Sequence, residues 1–195
     1  MAFKKPKDYE DVKVGEYKTL PAGGYICRIM KAEETVSRTG KPMLKVAFDI
    51  CEGEYTGYFM DMFQNRKVAA DDPQSVKWPF NGTRWVMFYD SEGNTNKDFK
   101  AFCTALEESG TEVWVKDTLD ASRLKDAQIG IVFRREEQEY EGKTSWRTVP
   151  FRFRSVEAIE TGDFTVPENK PLNKAPALDL TGVDSFSAAE DDIPF

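Results

Sequence analysis

The sequence predicts a mainly β domain, a five-stranded barrel with one α-helix between its third and fourth strands, followed by an acidic tail without fixed structure. Three observations carry that expectation: segments in which apolar and polar side chains alternate at period 2, a single apolar stripe at helical spacing, and the loss of both periods after Phe164. The 195 residues and their 40% hydrophobic content suffice for one core of ordinary size and leave no room for a second full domain. The expected division is a domain over 1–159 and a tail over 160–195.

The elements follow in order. Gly24–Ala32 (GYICRIMKA) is an apolar run rich in β formers, and Arg38-Thr39-Gly40-Lys41-Pro42 supplies turn chemistry. Leu44, Val46, Phe48 and Ile50 then alternate with Lys45, Ala47 and Asp49, which makes a hairpin with one buried face. Glu52-Gly53-Glu54 turns the chain into a third strand over Tyr55–Gln64, apolar on both faces. From Arg66 to Gly82 the pattern dissolves into Asp71-Asp72-Pro73, Trp78-Pro79 and Asn81-Gly82, a long loop or a few turns of helix. Asn94–Ser109 is the clearest helix: Phe99, Phe102, Cys103 and Leu106 share one stripe, Thr95 or Asn96 caps the start and Gly110 stops the end. Gln128–Arg135 and Ser145–Val156 are two long strands joined through Tyr140-Glu141-Gly142-Lys143. Three strands, a helix and two strands is the order of an OB-like barrel with Greek-key closure, whose usual work is to bind oligonucleotides across one face and its flanking loops. The same count also fits an SH3-like barrel or a sandwich.

Composition narrows the function. No run of 18 or more apolar residues exists and Met1–Pro6 lacks the apolar stretch of a signal peptide, so the expected place is the cytosol, with no membrane partner. Cys27, Cys51 and Cys103 are odd in number and widely spaced, which argues against a disulfide framework or a zinc site. Absence of histidine removes His-based triads, Cys-His dyads and His-ligated metals, and no phosphate-binding Gly-rich loop with Lys-Ser/Thr is present. The chain is therefore expected to be no enzyme and to hold no cofactor or metal. One catalytic alternative survives, a carboxylate-only Mg²⁺ site built from Asp126 with Glu141-Gly142-Lys143.

The net charge of −7 is concentrated at one end: residues 160–195 hold eight acidic side chains against Lys170 and Lys174, a net of −6, which leaves the body near −1. The body can thus segregate a basic groove from an acidic back. Binding to single strands without sequence readout needs flat π-surfaces for bases and cations for phosphates along such a groove. Trp146 and Arg147 with Arg152 and Arg154 are the leading set, because Arg152 and Arg154 alternate with Phe151 and Phe153 along one strand. Arg134, Arg135, Tyr140 and Lys143 extend that hairpin, while Arg38, Lys41 and Lys45 do the same on the first. Trp78, Phe80, Trp85 and Tyr89 are further stacking candidates, each weighed against plain core packing.

The tail carries Pro167, Pro171, Pro176 and Pro194 and reads as a stiffened, repelling linker. Its end, Glu190-Asp191-Asp192-Ile193-Pro194-Phe195, joins three carboxylates and a terminal carboxylate to an Ile/Phe wedge held extended by Pro194, a combination suited to docking in a small apolar pocket with a basic rim. The stretch Asp191-Asp192-Ile193-Pro194-Phe195 resembles the C-terminal tip of bacterial single-stranded DNA-binding proteins, a family that uses it to recruit replication, recombination and repair proteins. Leu20–Tyr25, Thr39–Lys45 and Glu52–Gly57 are similar to small phage-encoded replication proteins of single-strand-binding type. The resemblance implies a monomeric or dimeric OB-fold protein that coats single-stranded DNA and recruits partners through its tip. A short Pro/Asp linker stands where the bacterial family has a Gly/Gln-rich one, so tetramerisation and wrapping are not implied. An adaptor that presents the tip without gripping DNA is the other reading.

Overall fold

The computed structural model describes residues 19–172. Its elements are β1 (Gly23–Val36), β2 (Pro42–Ile50), α1 (Tyr58–Ala69), β3 (Thr83–Met87), α2 (Lys97–Glu108), β4 (Trp114–Val115), β5 (Thr118–Leu119), β6 (Gln128–Tyr140), β7 (Lys143–Arg154) and α3 (Val156–Glu160). The molecule is mainly β. One antiparallel five-stranded sheet has the order β3-β2-β1-β6-β7, and β4 with β5 makes a small ribbon of its own. Across β6-β1-β2-β3 this is the Greek-key order, the fourth strand returning beside the first.

The expected closure into a barrel does not occur: β3 and β7 are the two edges and do not pair. The reason lies in β7. Pro150 has no N–H to donate, and the pairing with β6 slips between Val132 and Phe133, leaving Phe151 as a bulged residue beside it. β3 is only five residues long and could not seal such an edge along its length.

β2 follows its pattern, with Leu44, Val46 and Phe48 at most 1% exposed. α2 does too: Asn96 accepts the Asp98 N–H at 2.8 Å, Phe99, Phe102, Cys103 and Leu106 are buried, and Gly110 takes the left-handed conformation that ends it. The third strand expected over Tyr55–Gln64 is instead helix α1, and the third strand of the sheet is β3. A residue distant in sequence decides this. Buried Asp49 of β2 accepts the N–H groups of Phe59 at 2.8 Å and Met60 at 3.2 Å, capping α1 from outside, while Gly57 at φ 78° turns the chain into it. Burial pushes the Asp49 carboxyl above its ordinary value, against the pull of those N–H groups and that of Ile50.

The core lies between the curved sheet and α2. Phe59 stacks on Phe133 at 6.2 Å and meets Phe48 edge-on at 5.7 Å, and Phe102 meets Phe153 at 5.0 Å. All three cysteines are free, and burial pushes the Cys103 thiol up to about 11. Glycines flatten the β1–β6 seam: a Cβ at Gly130 would fall 2.6 Å from the Ser155 carbonyl oxygen, and one at Gly24 would fall 2.5 Å from the Phe164 ring. Residues 161–172 accordingly stay on the sheet, with Glu137 N–H donating to the Lys170 carbonyl and Lys170 N–H to that of Arg135, both at 2.9 Å. The boundary expected after residue 159 thus falls within α3, and the tail from residue 173 on, with Asp191, Asp192, Ile193, Pro194 and Phe195, lies outside the described residues. Among the described residues no helix is long and apolar enough to cross a membrane.

Candidate nucleic-acid interface

Where β3 and β7 part, the sheet edges frame a cleft of about 530 Å³. Its walls hold four arginines, Arg84 from β3, Arg134 from β6, and Arg147 and Arg152 from β7. Side chains span the seam that backbone bonds leave open. Arg84 Nη1 donates to the Pro150 carbonyl at 3.1 Å, and the Arg147 guanidinium lies 5.1 Å from the centre of the Phe80 ring.

The arginines divide into two kinds. Arg84 is ion-paired with Asp98 at the start of α2, and Arg134 is forked onto Glu136, its Nε 2.8 Å from the carboxylate. Arg147 and Arg152 have no ion pair among the described residues. They rest on rings: Arg147 on Phe80, and Arg152 at 4.9 Å on Phe151, whose ring also meets Arg134 at 4.2 Å. Among the described residues the Nε atoms of Arg84 and Arg147 are buried without an acceptor.

Phe80 and Trp85 form a tilted pair at 5.1 Å, 57% and 37% exposed, and stand between this cleft and a second groove of about 790 Å³. That groove adds Lys45, Arg66 and Lys77. The two spaces give one path in which cations flank exposed aromatic faces, the surface that a single strand needs.

The structure gathers part of the expected set. Arg134, Arg147, Arg152 and Trp85 line the cleft, and Trp146 stands next to it on β7, 38% exposed, with Arg135 at 5.5 Å over its ring. Lys45 lies in the adjoining groove, where Glu33 holds it at 3.2 Å. Trp78 also lines that groove, but its indole N–H donates to the Gly82 carbonyl at 2.9 Å and its ring packs on Phe63 at 5.3 Å, so it braces the turn that presents Phe80. Arg154 faces a separate groove with Lys97 and Lys100 of α2. Arg38 and Lys41 sit on the exposed turn beyond Val36, whereas Tyr140, 72% exposed, and Lys143 form the tip of the β6–β7 hairpin, beyond the Gly23 end of β1. The two hairpins therefore leave β1 at opposite ends and their cations do not converge.

Arg84, Arg66 and Lys77 join the path without having been singled out by sequence. The signal for Arg84 is its place beside Trp85 in Thr83-Arg84-Trp85-Val86-Met87, an alternating stretch too short to stand out. Asp126 and Glu141, the carboxylates of the Mg²⁺ alternative, flank opposite ends of the 13-residue β6, roughly 40 Å apart along an extended strand, and do not converge. Among the described residues no group of three or more His, Cys, Asp or Glu side chains is placed to hold a metal ion.

No curated protein matches this chain. Residues 7–161 match the model of a family described as "Protein of unknown function (DUF669)", and the chain belongs to that family.

Proposed function

We propose that the protein binds single-stranded DNA largely without sequence readout, coating transient single strands in replication, recombination and repair, and that its acidic tip recruits partner proteins. One observation carries the reading: the open β3–β7 seam is lined by two arginines without acidic partners among the described residues and by an exposed Phe80–Trp85 pair. Phosphates lie along Arg147 and Arg152, where charge is not already neutralised, and bases stack on Phe80, Trp85 and Trp146. Backbone contacts of this kind read charge and bases by their faces, so they take any sequence.

The Greek-key strand order with a parted seam supports an OB-like domain, a fold that is itself a partly open barrel. Docking belongs to Asp191, Asp192, Ile193, Pro194 and Phe195, and the resemblance of this tip and of the first hairpin favours a phage-type protein, monomeric or dimeric, working in the cytoplasm of a bacterial host.

Fluorescence titration of the full chain with dT oligomers of rising length tests the reading. Saturable tryptophan quenching that sets in above a minimum length supports it. Silence at low salt refutes DNA binding and leaves an adaptor, and cleavage of the oligomer on adding Mg²⁺ replaces binding with catalysis.

A further inference from the structure

We propose that the cavity on the far side of Arg147 takes one base of the bound strand and favours bases that carry an exocyclic amine. This rests on the single-strand-binding reading and adds a preference to it. The cavity, about 590 Å³, lies between α1 and β7, within the range of sites that enclose small aromatic ligands. Arg147 lines both this cavity and the cationic cleft and so stands at the rim between them. A nucleotide whose phosphate rests on Arg147 has its base within reach of the cavity mouth.

The cavity differs in chemistry from the cleft. Tyr58, Asp61 and Asn65 recur at i, i+3 and i+7 on α1 and line the cavity, Tyr58 packing at the same time against buried Phe59 at 5.1 Å. Trp146 supplies further ring surface, Asn81 a second amide and Glu54 a second carboxylate. Carboxylates among amides repel a phosphate and accept from an amine, so the base is the part that enters. Cytosine, adenine and guanine present amine N–H groups that donate to the Asp61 carboxylate, whereas thymine and uracil offer only N3–H, flanked by two carbonyl oxygens that a carboxylate repels. Asn65 and Asn81 each offer a donor and an acceptor and serve any base edge.

The test compares oligo(dC) with oligo(dU), both about 12 nucleotides long, by anisotropy of an end label at fixed salt and mildly alkaline pH. The two bases differ at position 4, amine against carbonyl, and at the adjoining N3. The full chain should bind oligo(dC) about five-fold or more tightly than oligo(dU). In Asp61→Asn the gap should close, chiefly by weaker oligo(dC) binding, while the salt dependence for oligo(dU) stays as in the parent. Asp61 is exposed on α1, so the variant should melt with the parent protein, and that melting curve is recorded alongside. Tight but equal binding of both oligomers overturns the pocket and leaves single-strand binding standing. A preference for oligo(dC) that survives both Asp61→Asn and its combination with Glu54→Gln overturns the assignment to this cavity, and failure of both oligomers to bind overturns the underlying reading as well.

Discussion

Replacing Arg147 and Arg152 with alanine should halve the salt sensitivity of single-strand binding. Along the cleft and the adjoining groove, Arg66, Lys77, Arg147 and Arg152 have no acidic partner among the described residues, whereas Arg84, Arg134 and Lys45 are held by Asp98, Glu136 and Glu33. A single-stranded phosphate neutralised by one such cation contributes about −0.7 to the slope of log K against log salt, so four give about −2.8. Between 50 and 200 mM salt that slope corresponds to a fall of roughly fifty-fold in affinity, and the double variant, with about −1.4, should lose only about seven-fold over the same range. Equilibrium titrations with a dT oligomer at several salt concentrations give both slopes directly. The two side chains lie on rings and not in ion pairs, so the double variant loses two contacts of about 0.5–2 kcal/mol each, and its melting curve is recorded to keep that loss apart from the slope. A variant with the parent's slope would remove the β7 arginines from the phosphate path, whatever its absolute affinity.

Other perturbations probe separate parts of the argument. Trp85→Ala should cost about 1–3 kcal/mol in oligomer affinity without altering the salt slope, because it removes a stacking face and no charge; a changed slope would contradict that division. Asp49→Asn should destabilise the fold by about 1–3 kcal/mol in urea titrations, since one amide oxygen replaces a carboxylate that serves the N–H groups of Ile50, Phe59 and Met60. The folded Asp49 carboxyl titrates above its ordinary value, so the native chain holds that proton to higher pH than the unfolded chain does. Its contribution to stability is fullest below the ordinary carboxylate value and declines as pH rises through the raised one, a slope that Asp49→Asn should abolish. Deleting Ala188–Phe195 should leave oligomer affinity equal or modestly higher, most visibly at low salt, while removing Phe195 alone should abolish capture by a protein that binds single-strand-binding tips; loss of DNA affinity on deletion would overturn the separation of the two ends.

The parts of the fold that were legible in the sequence are those whose cause is local. The β2 alternation and the α2 stripe each state their own period, and the Asn96 cap and Gly110 stop lie within the stretch they terminate. α1 was not legible because Tyr55–Gln64, apolar on both faces, has no period that separates a strand from a helix, while its helical start is fixed by Asp49 on β2. Closure failed as an expectation for a reason visible in the chain, since proline inside a strand marks an edge and Pro150 sits in the middle of β7. For the site, closeness along one strand grouped Trp146, Arg147 and Arg152, but alternation alone would put Arg147 and Arg152 on opposite faces; the slip at Phe151 is what brings both to the cleft. Alternation could not tell that Arg154 turns to α2, that Trp78 is spent on bracing Gly82, or that Arg84 crosses the seam, because each depends on contacts between elements distant in sequence.

The open seam and its charge have one physical origin. With Pro150 unable to donate and Phe151 bulged, the outer edge of β7 offers a carbonyl to a side chain instead of a ladder to a strand, and Arg84 takes it. Arg84 and Arg134 are then fixed by carboxylates, which set the positions of the walls at little net charge. Arg147 and Arg152 are fixed by rings instead. A cation–π contact holds a guanidinium in place with about 0.5–2 kcal/mol but leaves its charge unneutralised and its donors free to meet an anion. Two arginines held on aromatic supports keep a charge that a carboxylate would have neutralised, and the cleft they line presents it to an anion. For that reason the seam, and not the loops at either end of β1, is where a phosphate backbone belongs.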